Sequence, residues 1–283
     1  MIPFPLPPAL TEPLIRRALE EDLGDAGDVT TLATVPADRQ AVAEINARKA
    51  GHVAGVELAR RVFRLVDTTL EVSVEAEDGA RLAAGGRVMT VKGAARSLLT
   101  AERVALNLLG HLSGVATATA ALVRAVEGTG ARIVCTRKTL PGLRAAQKHA
   151  VLCGGGHNHR FGLHDAAMIK DNHIVAAGGL TPALRAARAA LGHMVKIEVE
   201  VDRLDQLEEA LMGGADVVLL DNMTPEALRE AVRLTAGRAV LEASGNVTID
   251  TVRGVAETGV DVISSGWITH SAPNLDIGLD LTL

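Results

Sequence analysis

The chain has 283 residues and a formal net charge of −5, which is long enough for one large domain or for a medium and a small one. Its 48% of hydrophobic and 22% of charged residues are typical of globular proteins and exclude disordered and fibrous classes. The negative charge argues against bulk attraction to nucleic acid or acidic lipid, and three Phe, one Trp and no Tyr cannot build the stacking platform of a single-strand binder.

The amino end, MIPFPLPPAL, carries four prolines and no basic residue, so we expect neither a signal peptide nor a helix there. No stretch approaches the roughly 18 uninterrupted apolar residues of a membrane span. Cys135 and Cys153 are too few for a disulfide framework. Together these features predict a soluble protein of the reducing cytoplasm that binds neither nucleic acid nor membrane.

Residues up to about Arg96 have the pattern of a small α+β module. Residues 70–74 alternate apolar and polar side chains, as a half-buried strand does, and residues 88–91 resume that pattern. Gly and Asp turns lie between these strands, at Asp78-Gly79 and Gly85-Gly86.

From Thr100 onward the pattern changes to helices and strongly apolar strands. Thr100 is a plausible N-cap for a long helix that runs through Val115. Strands are predicted at 133–135, 166–169, 195–201, 216–220, 239–243 and 261–264. Helices are predicted between several of them, at 181–191, 204–212 and 225–234. From residue 195 the strands begin about every 22 residues, which is typical of repeated βα units.

Six such units are fewer than the eight of a full barrel, which takes about 250 residues. The fold is therefore an incomplete α/β barrel or a doubly wound sheet. Polar residues follow every predicted strand, whereas a doubly wound sheet would use only the strands beside its switch point. The fold class we predict is α/β, an incomplete, open barrel.

The strand VKIEVEV places charges on one of its faces. Lys196, Glu198 and Glu200 share that face, because successive side chains alternate. A charge inside a packed barrel costs roughly several kcal/mol when it has no partner. We therefore expect Glu198 to pair with Lys196, and Glu200, nearer the carboxyl end, to reach a metal or a cationic ligand.

Residues 137–170 hold six Lys or Arg, four His and a single acid, Asp165, in a chain that is acidic overall. We interpret Arg144 and Lys148, four residues apart, as a solvated helix face. The other four cations flank strand ends and Gly-rich turns, and we interpret them as anion ligands: Arg137, Lys138, Arg160 and Lys170.

Three histidines in this segment, His157, His159 and His164, have spacing compatible with zinc. The neighbouring Arg160 and the lack of a close carboxylate or cysteine set argue against that site. The glycine run at residues 154–156 would let backbone amides approach an anion, although alone it is a weak signal.

Seven motifs in order resemble those of the quinolinate phosphoribosyltransferase family: TRKTLPG, GGGHNHRFGL, IKDNH, EVEVD, LLDNM, EASGN and VISSGWITH. The stretches EEDLGDAGDVTT, GHVAG and AERVALNLLGHLSGVAT also match, so the resemblance covers nearly the whole chain. It implies that quinolinate and phosphoribosyl pyrophosphate become nicotinate mononucleotide, pyrophosphate and carbon dioxide. It also implies an amino-terminal α/β sandwich domain at residues 1–110, onto which residues 271–283 pack, and a catalytic barrel at 111–270.

The resemblance further implies a homodimer with shared active sites and Mg²⁺ as cofactor. The quinolinate ligands it implies are Arg103, donated across the dimer, with Arg137, His159, Arg160 and Lys170. Lys138 resembles the pyrophosphate ligand, and Glu200 and Asp221 resemble the ribose and magnesium ligands. The turns implied to hold the 5′-phosphate are Ser244-Gly245-Asn246 and Gly266-Trp267-Ile268. Lys138, Lys170, Glu200 and Asp221 would carry the catalysis.

Two alternatives remain at this stage. A molybdenum-transport-associated paralogue shares the fold and much of TRKT, but resembles the family less at IKDNH, which is intact here. A non-catalytic barrel that binds phosphorylated metabolites would not need paired acids opposite a cationic cleft. Turnover of quinolinate against nicotinate distinguishes these from the enzyme.

Overall fold

The computed structural model of the chain describes residues 6–283. The elements of the first half are α1 Pro8–Leu23, α2 Val29–Thr34, β1 Gln40–Ala47, β2 Gly51–His52, α3 Val56–Val66, β3 Glu71–Val74, β4 Arg81–Leu82, β5 Arg87–Ala94, α4 Ala95–Ala125, β6 Arg132–Val134 and α5 Arg144–Cys153. Those of the second half are β7 Ala167–Ile169, α6 Asp171–Ala177, α7 Leu180–Ala190, β8 Ile197–Val201, α8 Leu204–Met212, β9 Val217–Asp221, α9 Pro225–Thr235, β10 Val240–Ser244, α10 Val252–Ala256, β11 Val262–Ser264, α11 Trp267–His270 and β12 Ile277–Thr282.

The chain divides into two compact units. The first comprises the described residues up to 120 together with 139–155 and 268–283. Its centre is an antiparallel sheet in the order β12-β1-β5-β3. Ala41, Ala43 and Ile45 of β1 are buried, as the alternation of side chains along a half-buried strand requires. The last strand of the chain, β12, pairs antiparallel with β1.

The second unit comprises residues 121–138 and 156–267 and contains a parallel six-stranded sheet. Its order is β6-β11-β10-β9-β8-β7, so β7 to β11 follow one another in sequence order and the first strand, β6, pairs with the last, β11. A doubly wound sheet reverses its order in the middle, whereas this one never reverses. Strands β6 and β7 stand at the two edges, so the barrel is open between them. The incomplete α/β barrel predicted from the sequence is confirmed.

The barrel strands form where the sequence predicts them, within two residues at each end. Their outward side chains are apolar and fully buried, as at Val199, Val218 and Ile263. Helix α9 begins at Pro225, after Thr224 accepts a hydrogen bond from the amide of Ala227. The domain boundary at residue 110 stays a prediction.

Two predictions about helix starts are wrong. Helix α4 begins at Ala95 and not after Thr100, because Ala95 and Leu98 are buried and extend the apolar face by more than a turn. Helix α1 begins at Pro8 inside the segment expected to be non-helical. Proline is tolerated at the first helical position because its missing N–H would have no partner there. Residues 6 and 7 are not helical, as expected, and residues 1–5 lie outside the described residues.

Helix α4 is the one helix among the described residues long and apolar enough to cross a membrane by length and composition. Of its most apolar window, 72% is buried within the fold. Mostly buried helices of this kind are found in the cores of soluble proteins. We therefore describe α4 as a core helix.

Candidate active site

A cavity of about 540 Å³ lies at the carboxyl ends of the barrel strands. Four Lys or Arg side chains, five acidic or amide side chains and Gly245 share its wall. The polar lining residues are Thr136, Arg137, Lys138, His159, Arg160, Lys170, Glu200, Asp221, Asn222, Glu242, Ser244, Gly245, Asn246 and Ser264. We call this space the mouth cavity.

Strand register brings the inward side chains of neighbouring strands to common levels. Glu200 of β8 is level with Leu219 of β9, which is level with Glu242 of β10. One level nearer the mouth, Asp221 pairs with Ser244. Residues from distant parts of the sequence are therefore neighbours, because parallel strands end at one edge of the sheet.

Lys170 and Glu200 form an ion pair at the mouth. Lys170 follows β7, and Glu200 lies near the end of the adjacent strand β8. The backbone amide of Lys170 donates to Nδ1 of His173 at 3.0 Å, which fixes the start of helix α6. The ammonium group is thus held beside a carboxylate before any substrate enters.

Two guanidinium groups face the mouth cavity from the region of β6 and from the loop before β7. Arg160 donates to the carbonyl of Ala166 at 3.0 Å. The buried Nε atoms of Arg137 and Arg160 have no hydrogen-bond partner among the described residues. Burial, and then the charge of Arg137, lower the pKa of Arg160 below its usual range. Buried donors and crowded like charges are the features of a site built for an anion.

Two adjacent turns close the cavity at the ends of β9 and β10. Asn222 and Asn246 adopt left-handed backbone conformations, with φ of 52° and 49°. Gly245 directly precedes Asn246 and has a φ of 96°. A Cβ at Gly245 would stand 2.1 Å from Oδ1 of Asn222. Such conformations are costly away from glycine and cluster at functional sites. Asn222, Gly245 and Asn246 of these turns line the cavity.

Lys138 lies against Gly266, at which a Cβ would meet the lysine stem at 2.9 Å. Gly266, Trp267 and Ile268 are not among the cavity's lining residues. Trp267 is 45% exposed and Ile268 is fully buried. Arg103 is also not in the lining; its side chain is 61% exposed and lies 3.5 Å from Glu102.

His159 lies between two buried carboxylates that sequence reasoning did not single out as site residues. Its Nε2 is 3.0 Å from Glu198 and 3.4 Å from Glu242. Burial opposes protonation of the imidazole, but hydrogen bonds and charge attraction from both carboxylates outweigh it and raise the pKa of His159 to about 10. Burial also raises the pKa of Glu198. We call His159, Glu198 and Glu242 the floor cluster.

The prediction that Glu198 pairs with Lys196 is wrong. Lys196 precedes β8 and is 74% exposed, and its Nζ binds Asp216 at 3.0 Å. Two carboxylates lie close to His159, although the sequence predicted no close carboxylate or cysteine ligands for the histidines. Among the described residues, His159 clusters with Glu198 and Glu242, and not with His157 and His164.

We predicted that Arg144 and Lys148 lie on a solvated helix face, and this prediction is wrong for Lys148. Lys148 is fully buried, whereas Arg144 is half-buried and donates to Thr139 at 3.1 Å. Residues 146–151 of α5 are all buried, so this helix has no continuous exposed stripe there. Their spacing predicts that the two cations lie on one helix face, but it does not predict that other residues of this chain cover Lys148.

One sequence signal could have revealed Glu242. It is a charged residue within the otherwise apolar strand β10, VLEAS, where an unpaired charge would be costly. The partner that makes it tolerable, His159, is 83 positions away and belongs to no strand.

Residues 28–113 match the model of the quinolinate phosphoribosyl transferase N-terminal domain, and residues 115–280 match that of its C-terminal domain. The carboxylating nicotinate-nucleotide pyrophosphorylase of Mycobacterium leprae is 49% identical over 94% of this chain and 95% of its own length.

Solved structures give the same result. The crystal structure of NadC from Streptococcus pyogenes superposes with a TM-score of 0.95 at 42% identity, covering 99% of both chains. The nicotinate-nucleotide pyrophosphorylase from Francisella tularensis superposes with a TM-score of 0.94 at 38% identity, covering 98% of both.

Proposed function

The chain belongs to the quinolinate phosphoribosyltransferase family, and we propose that it converts quinolinate and phosphoribosyl pyrophosphate into nicotinate mononucleotide, pyrophosphate and carbon dioxide in NAD biosynthesis. The observation that carries this proposal is the mouth cavity, whose wall holds four cations together with Glu200 and Asp221. Both substrates are multiply anionic, and phosphoribosyl transfer also needs oxygen ligands for a metal and a ribose. One cavity supplies both kinds of group.

The quinolinate end of the cavity consists of Arg137, His159, Arg160 and Lys170 in our proposal. The two substrate carboxylates would accept hydrogen bonds from the buried Nε–H groups of Arg137 and Arg160, which lack partners among the described residues. Desolvated cations held in place bind a dianion without reorganisation, and they position its ring nitrogen for attack on the ribose. A monocarboxylate would leave part of this charge uncompensated.

The phosphoribosyl pyrophosphate end consists of Lys138, Glu200 and Asp221 with the turns Ser244-Gly245-Asn246 and Gly266-Trp267-Ile268. Lys138 would neutralise the departing pyrophosphate, and the two carboxylates would stabilise the positive charge that develops on the ribose. Backbone amides of the turns would bind the 5′-phosphate, as late barrel loops do.

We propose Mg²⁺ as the cofactor. The carboxylates of Glu200 and Asp221 are the hard oxygen ligands that Mg²⁺ prefers, and both line the mouth cavity. They would hold the ion directly or through water or substrate. When bound, the ion would neutralise the negative charge that grows on the departing pyrophosphate.

The native assembly in our proposal is a cytoplasmic homodimer that binds neither nucleic acid nor membrane. Arg103 supports the shared site, because an exposed arginine outside the mouth-cavity lining is able to serve a partner subunit. Among the described residues, the carboxylate within ion-pairing distance of Arg103 is Glu102, at 3.5 Å.

Acceptor choice tests the proposed function. Purified protein with phosphoribosyl pyrophosphate and Mg²⁺ should turn over quinolinate and leave nicotinate nearly untouched. Arg160→Met should lose most quinolinate turnover, whereas Arg229→Met, an exposed arginine on α9, should match the wild type. Comparable turnover of the two acceptors would contradict the assignment.

A further inference from the structure

The floor cluster separates two cavities inside the barrel unit. A second cavity of about 500 Å³ opens at the amino ends of the strands, lined by Arg132, Val217, Val240 and Val262, each the first residue of its strand. His159, Arg160 and Glu242 line both this cavity and the mouth cavity. The cluster is therefore the wall between the substrate side and the opposite end of the barrel.

Within that wall, one ring nitrogen faces two carboxylates. Nε2 of His159 is within hydrogen-bonding range of Glu198, and Glu242 lies 3.4 Å away. The carboxylate side chains are only 7% and 4% exposed, so each needs a compensating charge. Lys196 does not supply it, because it binds Asp216. An imidazolium at His159 is the group positioned to do so.

The cluster thus places a positive charge on the wall of the mouth cavity. We propose that Glu198 and Glu242 are positioning residues that hold His159 by its Nε2 as an imidazolium, so that its charge binds a carboxylate of quinolinate. This inference rests on the proposed function. The raised pKa of His159, about 10, agrees with it. Burial raises the pKa of Glu198, and the hydrogen bond to His159 opposes that rise and favours the ionised carboxylate.

The same three residues could in principle hold a metal ion, since their ligand atoms lie within 4.8 Å of one another. Metal binding requires a neutral imidazole, whereas hydrogen bonding to two carboxylates favours the protonated ring. The geometry therefore points to an imidazolium.

Charge-removing, shape-preserving variants test the inference. Glu242→Gln and Glu198→Gln should each raise the KM for quinolinate about tenfold, the loss of one charge-assisted interaction. The KM for phosphoribosyl pyrophosphate and kcat should change less than about twofold, because neither carboxylate touches the other substrate in this account. Glu208→Gln, exposed on α8, is the matched control and should match the wild type.

A spectroscopic measurement on the wild type does not depend on how the variants fold. Ring ¹⁵N shifts of His159, assigned by comparison with His159→Gln, should show an imidazolium at pH 7.5. The charged groups that line the two cavities beside the ring are Arg132, Glu198, Glu200, Asp221 and Glu242 on strands, and Arg137, Lys138, Arg160, Asp165, Lys170 and Lys196 on loops. A neutral ring at pH 7.5, or one Zn²⁺ bound per chain through His159, would overturn the inference.

The two proposals fail in different ways. Wild-type protein that does not turn over quinolinate refutes the proposed function. Active wild-type protein whose two Glu→Gln variants fold and keep the wild-type KM for quinolinate refutes the positioning role alone. A rise in both substrates' KM values together would show a merely structural role and would also refute it.

Discussion

Lys170 and Glu200 form an ion pair at the mouth of the barrel, although the family resemblance implies that they bind different substrates. Their side chains are 42% and 20% exposed, so the pair is partly solvated. A dianion that binds Lys170 and a metal or ribose that binds Glu200 would compete with this contact. The pair couples the two ends of the proposed site.

Removing one partner of that pair should cost little stability. Glu200→Gln should lower the free energy of unfolding by at most about 1 kcal/mol, because partly exposed ion pairs contribute about 0–1 kcal/mol. Its use of phosphoribosyl pyrophosphate should fall far more. Urea unfolding beside initial-rate kinetics measures both. A loss of stability of several kcal/mol with normal kinetics would mean that Glu200 is a scaffold residue.

Asp221 should behave as a ligand and not as a structural charge. Asp221→Asn should weaken phosphoribosyl pyrophosphate use and raise the Mg²⁺ requirement, while quinolinate binding is spared. Stability should hold, because no cation lies within ion-pairing distance of Asp221 in the described part of the chain. A buried paired carboxylate would instead cost roughly 3–5 kcal/mol. Magnesium titrations and a melting curve distinguish the two.

Arg103 should act across a dimer. Arg103→Ala should lose activity and keep its fold, since the side chain is 61% exposed. Mixing it with inactive Lys138→Ala protein should restore part of the activity, because a hybrid dimer contains one site without either lesion.

Subunit exchange must be demonstrated in that experiment by a mass-tagged chain. Exchange without recovered activity would contradict the shared site. By contrast, mixing Lys138→Ala with Asp221→Asn should restore no activity, because Lys138 and Asp221 line the mouth cavity of the same chain and every site of the hybrid dimer then carries one lesion.

Gly245 should be intolerant of a side chain. Gly245→Ala would place Cβ 2.1 Å from Oδ1 of Asn222 at a φ of 96°. We expect a loss of about 1–3 kcal/mol and a raised KM for phosphoribosyl pyrophosphate. Gly237→Ala, at a φ of 76° with nothing within 4 Å, controls for backbone strain alone and should keep normal kinetics. Equal kinetic effects in both variants would count against a ligand-binding turn.

Protonation of His159 should make stability depend on pH. Its pKa is raised from 6.5 to about 10 by Glu198 and Glu242. The stabilisation is therefore complete below about pH 6.5 and is lost as pH rises through 10. The wild type should exceed Glu242→Gln in unfolding free energy at pH 7, and the gap should close towards pH 10.5. A gap that stays constant with pH would show that His159 is neutral.

The sequence predicted the barrel strands and their polar ends well, because both signals are local. Residues such as Lys170, Glu200 and Asp221 follow apolar runs, and parallel pairing brings strand ends together without further information. Burial was harder to predict. Lys148 looks like a solvated cation from its spacing, and only the surrounding chain shows that it is buried.

Contacts between distant residues also escaped prediction. Glu198 was assigned to Lys196, two positions away, whereas its partner His159 lies in a loop 39 positions earlier. Likewise, Thr100 has the chemistry of an N-cap, but burial of Ala95 and Leu98 extends the helix past it. In each case tertiary packing outweighed a local signal.

The fate of one labelled carbon tests the central claim most directly. Quinolinate carrying ¹³C in its 2-carboxylate, incubated with phosphoribosyl pyrophosphate and Mg²⁺, should release one labelled CO₂ and one pyrophosphate for each nicotinate mononucleotide formed. Lys138→Ala should release almost none of the three. Nucleotide that retains the label, or pyrophosphate released without matching CO₂, would contradict the assignment of this chain as a decarboxylating quinolinate phosphoribosyltransferase.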